Sequence, residues 1–217
     1  MTNTIELLST DALIVVDPQL DFCPGGALAV TDGDEVMPLI VNLMGRFDTA
    51  GATIVFTQDW HTQDQVSFAS NHGVAPFTDI EVSYGTQTTW PDHCLQGSTG
   101  ADFHPSLNMN KVDLIIRKGA HPTIDSYSAF NENDRTTSTG LAGLLRDRGI
   151  TRVFLVGLAY DFCVGYSALD AVTEGFDVII LKDATRAIDL NGSVAIMEEQ
   201  FTLAGVQLVD NLNPYNG

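Results

Sequence analysis

A chain of 217 residues and 23.4 kDa is expected to fold as one domain over residues 1–217, with a core large enough to need no disulfide staples. Hydrophobic residues at 44% and charged residues at 18% exclude a disordered chain. The formal net charge of −18 argues against nucleic acid or an anionic membrane as a partner, since both repel an acidic surface.

No apolar run approaches the ~18 residues of a membrane span. The opening residues Met1 to Glu6 carry no cationic n-region, so no secretory signal is expected. Cys23, Cys94 and Cys163 are odd in number and far apart, and read as reduced thiols of a cytoplasmic protein.

Residues 12–16 form a continuous apolar strand that ends at Asp17. A helix is predicted over 34–47, with Val36, Leu39, Ile40, Leu43, Met44 and Phe47 on one stripe. Residues 52–57 are the second strand and run into Asp59-Trp60-His61. From 62 to about 110 the chain reads as loop, and so long an irregular stretch in a compact domain points to function. A third strand covers 112–117 and ends at Lys118-Gly119; a helix over 138–148 stops at Gly149. Strand 153–156, helix 163–174, strand 178–181, helix 193–203 and strand 206–209 complete the order.

Strands that are apolar throughout imply burial on both faces, hence a parallel sheet between helices. The pattern predicts a single three-layer, doubly wound α/β domain with a mostly parallel six-stranded sheet. Ligands of such sheets sit outside the carboxyl ends of the strands. Asp17, Asp59, Lys118 and the segment leading into Cys163 each follow a different predicted strand, so they should converge.

Cys163 falls near the first turn of a helix, where backbone N–H groups favour a thiolate and can stabilise an oxyanion. By position alone it is either a nucleophile or a buried structural thiol. A carboxylate at Asp17 could take its proton and return one to a leaving amine, and Lys118 could hold both groups ionised. Asp59 and His61, at i and i+2 on an extended segment, point to one side. A third imidazole would complete a two-His, one-carboxylate set suited to Zn, Fe or Mn, and His72, His93, His104 and His121 are all candidates. The dinucleotide, nucleoside-triphosphate and serine-hydrolase fingerprints are absent.

Longer segments carry a family resemblance. They are Val16-Asp17-Pro18-Gln19-Leu20-Asp21-Phe22-Cys23-Pro24-Gly25-Gly26-Ala27-Leu28, Gln58-Asp59-Trp60-His61, Trp90-Pro91-Asp92-His93-Cys94 and Gly100-Ala101-Asp102-Phe103-His104-Pro105. Lys118-Gly119, Asp125-Ser126-Tyr127-Ser128-Ala129-Phe130 and Gly157-Leu158-Ala159-Tyr160-Asp161-Phe162-Cys163-Val164 complete the set. Together they resemble the nicotinamidases (pyrazinamidases) of the isochorismatase-like cysteine hydrolase superfamily.

The resemblance implies a triad of Asp17, Lys118 and Cys163, and one divalent metal held by Asp59, His61 and His93. It implies oxyanion-hole N–H groups from Ala159 and Cys163, with a cis peptide between Leu158 and Ala159. Phe22, Trp90, Tyr127 and Tyr160 would contact the substrate, nicotinamide, in NAD salvage. Tyr160 stands where many relatives carry Thr, and Ser67 where some place a further metal ligand. Cys23 and Cys94 would be structural thiols, Trp60 a packing residue, and His72, His104 and His121 surface or hydrogen-bonding residues. Homo-oligomerisation is left open. The alternatives are another superfamily amidase acting on a carbamoyl or related amide, or a non-catalytic metal-binding protein on the same fold.

Overall fold

The computed structural model describes residues 5–212. Six strands form one sheet: β1 (Asp11–Val16), β2 (Thr53–Asp59), β5 (Leu114–Lys118), β6 (Arg152–Leu158), β7 (Asp177–Arg186) and β8 (Gln207–Val209). Their order is β5-β2-β1-β6-β7-β8 and every pairing is parallel, as the apolar runs require. Strand β1 is buried at all six positions, because each face of the sheet meets a helical layer.

One apolar cluster joins Leu13, Val15, Ile54 and Phe56 to Ile40, Met44 and Phe47 of helix α1 (Met37–Thr49). The other joins Ile14, Val55, Leu155 and Ile180 to helices α2 (Leu141–Asp147), α3 (Cys163–Thr173) and α4 (Ser193–Ala204) through Leu145, Val164, Ala168 and Phe201. Alternate strand residues thus feed opposite layers. No described helix is long and apolar enough to cross a membrane.

Several boundaries differ from expectation. The first helix opens as a 3₁₀ turn (Gly33–Val36), and α1 proper begins at Met37 with a proline in its first turn, where the missing N–H costs no bond. The predicted helix start at 138 moves to Leu141, because Ser138 pairs with Asn131 across an isolated bridge and the Thr139 hydroxyl donates to Ala129 O at 2.6 Å. Strand β5 starts at Leu114 rather than 112, since the Asp113 carboxylate instead accepts the Ile54 N–H at 2.8 Å. The stretch read as loop contains a two-stranded antiparallel hairpin, β3 (Asp79–Val82) and β4 (Gly85–Thr88).

Candidate active site

The carboxyl ends of the strands meet as expected. Register places Asp59 of β2 beside Lys118 of β5, and Val16, just before Asp17, beside Gly157 of β6. Lys118 is fully buried, which an ammonium tolerates only when paired. Its Nζ lies 2.8 Å from Asp17 Oδ2 and 3.3 Å from Cys163 Sγ, donates to Ser126 O at 3.0 Å, and forms a short ion pair with Asp59 Oδ1. One oxygen each of Asp17 and Asp59 lies within 4.8 Å of the Cys163 sulfur and of the other.

Burial raises Asp17 to about 6, against the pull of Lys118 and with a push from Asp59. Burial also lifts the Cys163 thiol well above its ordinary value, although Lys118 draws it down. Burial by itself would discharge Lys118, but Asp17, Asp59 and Cys163 outweigh it and keep the amine protonated. The resting arrangement is therefore a thiol, an ammonium and a carboxylate able to receive the thiol proton. Asp17 has φ of 45°, and its backbone N–H and Oδ1 both meet the Thr57 hydroxyl, at 3.0 and 2.5 Å.

Asp59 has a second face. Its Oδ2 lies 3.6 Å from His61 Nε2 and 3.8 Å from His93 Nε2, and the three side chains are buried. Each histidine presents Nδ1 to a carbonyl, His61 to Gly119 O at 2.9 Å and His93 to Pro91 O at 2.7 Å. A carbonyl only accepts, so Nδ1 carries a proton, which leaves Nε2 on the Asp59 side as the nitrogen available to a cation. Two imidazole nitrogens and a carboxylate oxygen, all within 4.8 Å of one another, fit a divalent cation. Gln19 fixes the backbone of Asp59 by exchanging bonds of 2.7 and 2.8 Å with its N–H and C=O.

Between the two clusters lies a narrow cleft. Its apolar walls are Leu28, Trp90, Phe162 and Ile188, and its floor includes Asp59, His61, His93, Ala159 and Cys163. Trp90 stands edge-on to Phe162, centroids 4.9 Å apart, and its indole N–H donates to the Tyr127 hydroxyl at 3.0 Å. The Leu158–Ala159 peptide is cis. Cys163 opens α3, where its N–H has no intrahelical acceptor.

The Isochorismatase domain family matches residues 11–210. The chain belongs to the isochorismatase family. Within that family it is 51% identical over 203 residues to a nicotinamidase from Acinetobacter baylyi, covering 93% of each chain. It is similar to the solved nicotinamidase/pyrazinamidase of Acinetobacter baumanii, with 50% identity, a TM-score of 0.90, and coverage of 94% of this chain and 97% of that one. It is also similar to the Pyrococcus horikoshii pyrazinamidase solved in complex with zinc, with 36% identity, a TM-score of 0.76, and coverage of 92% and 98%.

Of the sequence-predicted residues, Asp17, Lys118 and Cys163 meet at one point, and Asp59, His61 and His93 at a neighbouring one. Trp90, Tyr127 and Ala159 line the cleft between them. Phe22 is not among the residues lining the cleft, and its ring stands edge-on to His93, which is, at 5.5 Å. Tyr160 does not face the substrate space. Its N–H donates to Arg186 O, which turns the side chain toward α4, where the hydroxyl donates to Glu198 at 3.0 Å and the ring packs on Phe201.

The Ser67 hydroxyl is buried with no hydrogen-bond partner among the described residues. Cys23 and Cys94 are buried free thiols, and burial pushes Cys23 up to about 11. Arg117 stacks on Trp60 at 3.9 Å, and the imidazoles of His72, His104 and His121 meet groups within six residues of themselves. Sequence reasoning did not single out Thr57, Asp125, Phe162 or Ile188. Thr57 carried a local signal, a hydroxyl at the end of the apolar run Ile54-Val55-Phe56, and Asp125 and Phe162 stood inside the family segments.

Proposed function

We propose that this isochorismatase-family chain is a nicotinamidase, a metal-containing cysteine amidohydrolase that converts nicotinamide to nicotinic acid and ammonia in NAD salvage and also accepts pyrazinamide. The observation that carries the reading is Lys118 Nζ, held between Asp17 and Cys163 Sγ and paired directly with the carboxylate of a two-His, one-carboxylate group. Identity of 51% to a nicotinamidase over nearly the whole chain supports the same substrate.

Asp17 takes the proton of Cys163, and Lys118 steadies the resulting negative charges. The thiolate attacks the carboxamide carbon, and the N–H groups of Ala159 and Cys163 receive the developing oxyanion, a contribution of about 3 kcal/mol per donor in such sites. The C–N bond breaks as Asp17 returns the proton to nitrogen, leaving ammonia and a thioester. Asp17 then deprotonates a water that attacks the thioester carbon; the acid departs and the thiolate regains a proton. Trp90, Tyr127 and Phe162 enclose the flat ring and keep bulk water away.

Asp59, His61 and His93 would hold the divalent ion. When bound, it supplies a positive site for the lone pair of a ring nitrogen. Zinc is the first choice because a similar pyrazinamidase is solved with it, with iron and manganese as alternatives suited to the same donors. A cytoplasmic location fits three thiols with no disulfide. Ammonia release from nicotinamide is the test: the wild type should be active and Cys163→Ala should lose more than about 10³-fold in kcat. Comparable rates in both would refute the nucleophile.

A further inference from the structure

The β3–β4 hairpin is polar and largely open to solvent, yet one of its side chains is almost wholly buried, and that side chain is an amide. Gln87 is 2% exposed. Its Oε1 accepts from the Tyr84 hydroxyl and from Asn133 Nδ2, both at 3.0 Å, which fixes which end of the amide is oxygen. Nε2 therefore faces the Tyr127 hydroxyl at 2.8 Å, Asp125 Oδ2 at 3.2 Å and Thr88 O at 2.7 Å.

The same phenolic oxygen also receives the Trp90 indole N–H at 3.0 Å. Two N–H donors thus share the phenolic oxygen of Tyr127, which ties the Trp90 indole to Gln87 through that one atom. Trp90, Tyr127 and Asp125 all line the cleft. Ser126, next to Asp125, accepts from Lys118 Nζ at 3.0 Å. A hairpin that needed only an anchor would bury an apolar side chain, whereas a buried amide is tolerated only when its bonds are made.

We infer that Gln87 is a positioning residue that sets the aromatic wall of the cleft through Tyr127, and so tunes discrimination among flat ring carboxamides by the substituents they carry. The inference rests on the amidase reading of the site. Gln87→Leu keeps the volume and removes both polar ends; it should raise KM for nicotinamide five- to tenfold with kcat within threefold. It should also lower the preference for nicotinamide over 5-methylnicotinamide at least threefold, and shift tryptophan emission to the red as the indole loses its anchor. Thr86→Val, on the exposed face of the same strand, should change none of these.

Tyr127→Phe removes the shared oxygen and should reproduce the KM and selectivity changes. The double variant should then be no worse than either single one, because both act through one contact. Should Gln87→Leu fail to fold, Tyr127→Phe and Gln87→Met carry the same comparison. Wild-type KM, selectivity and emission in a folded Gln87 variant, or additive effects in the double variant, overturn the inference. A wild type that releases no ammonia from nicotinamide would instead remove the amidase reading, and the emission shift would still test whether Gln87 holds Trp90.

Discussion

Gly119→Ala tests how the fold holds a metal ligand. Gly119 has φ of 63°, and a Cβ built on it would lie 2.4 Å from His61 Cε1 and 2.7 Å from Nδ1. A side chain in that left-handed region costs about 1–2 kcal/mol. Ordinary carbon contact lies near 3.5 Å, so the imidazole must withdraw by about 1 Å. It has little room, because it stands edge-on to Phe68 at 5.5 Å and to His93 at 4.9 Å.

The shift also breaks the Nδ1–H bond to Gly119 O that orients the ring. Loss of such an outer contact costs about 10–100-fold in metal affinity, and displacing the ligand itself puts the expectation at the upper end, near 10²-fold or roughly 2.7 kcal/mol. The measurement is zinc titration of chelator-stripped protein, by calorimetry or against a chromophoric chelator, with circular dichroism to show that the variant is folded. Gly73→Ala is the control: φ is 65° and nothing lies within 4 Å, so it carries the backbone cost without the contact. A folded Gly119→Ala protein that binds zinc within twofold of wild type would refute the reasoning.

Three further outcomes follow from the same geometry. Thr57 donates to Asp17 Oδ1 and thereby favours the carboxylate, so Thr57→Val should move the acid limb of kcat/KM above its expected position at about pH 6; a pH–rate profile with an unmoved limb would contradict this. Burial raises Glu132 from 4.5 to about 7, with Lys118 opposing and Asp125 reinforcing, so folding favours its neutral form and stability is lost as pH rises through that window. The full shift corresponds to roughly 3 kcal/mol, and partial solvent access reduces this to about 1–2 kcal/mol; Glu132→Gln should therefore raise Tm by a few degrees at pH 8 relative to wild type and by much less at pH 5. Asp161 accepts from the Ile188 N–H, the Asp189 N–H and the Ser193 hydroxyl at 3.0, 2.8 and 2.5 Å, and Ile188 closes one wall of the cleft, so Asp161→Ala should lower Tm and raise KM in steady-state assays, whereas an unchanged KM would separate that loop from substrate binding.

The sheet was legible because burial on both faces leaves a direct mark, and runs such as Leu13-Ile14-Val15-Val16 have no polar face to present. The rule that ligands gather at carboxyl strand ends then brought Asp17, Asp59, Lys118 and Cys163 together with no geometry in hand, and the structure places them within bonding reach. Periodicity fails where loops meet loops. His93 follows His61 by a long irregular stretch, and backbone pairing alone delivers it: the His61 N–H donates to Cys94 O, and His61 and Leu95 form a parallel bridge. Such a pairing leaves no repeat in the sequence, so His72, His104 and His121 were equally eligible until the family's Trp-Pro-x-His-Cys segment was considered. The β3–β4 hairpin escaped for a related reason: Asp79-Ile80-Glu81-Val82 does alternate, but over only four residues, and in its partner Gly85-Thr86-Gln87-Thr88 the one buried side chain is a glutamine that composition assigns to the surface. Tyr160 fails in the opposite direction. Its place in the motif, three residues before the nucleophile, suggested the substrate, but the direction of a side chain leaving a strand end depends on which carbonyl its own N–H finds, and here that carbonyl belongs to Arg186 on the neighbouring strand.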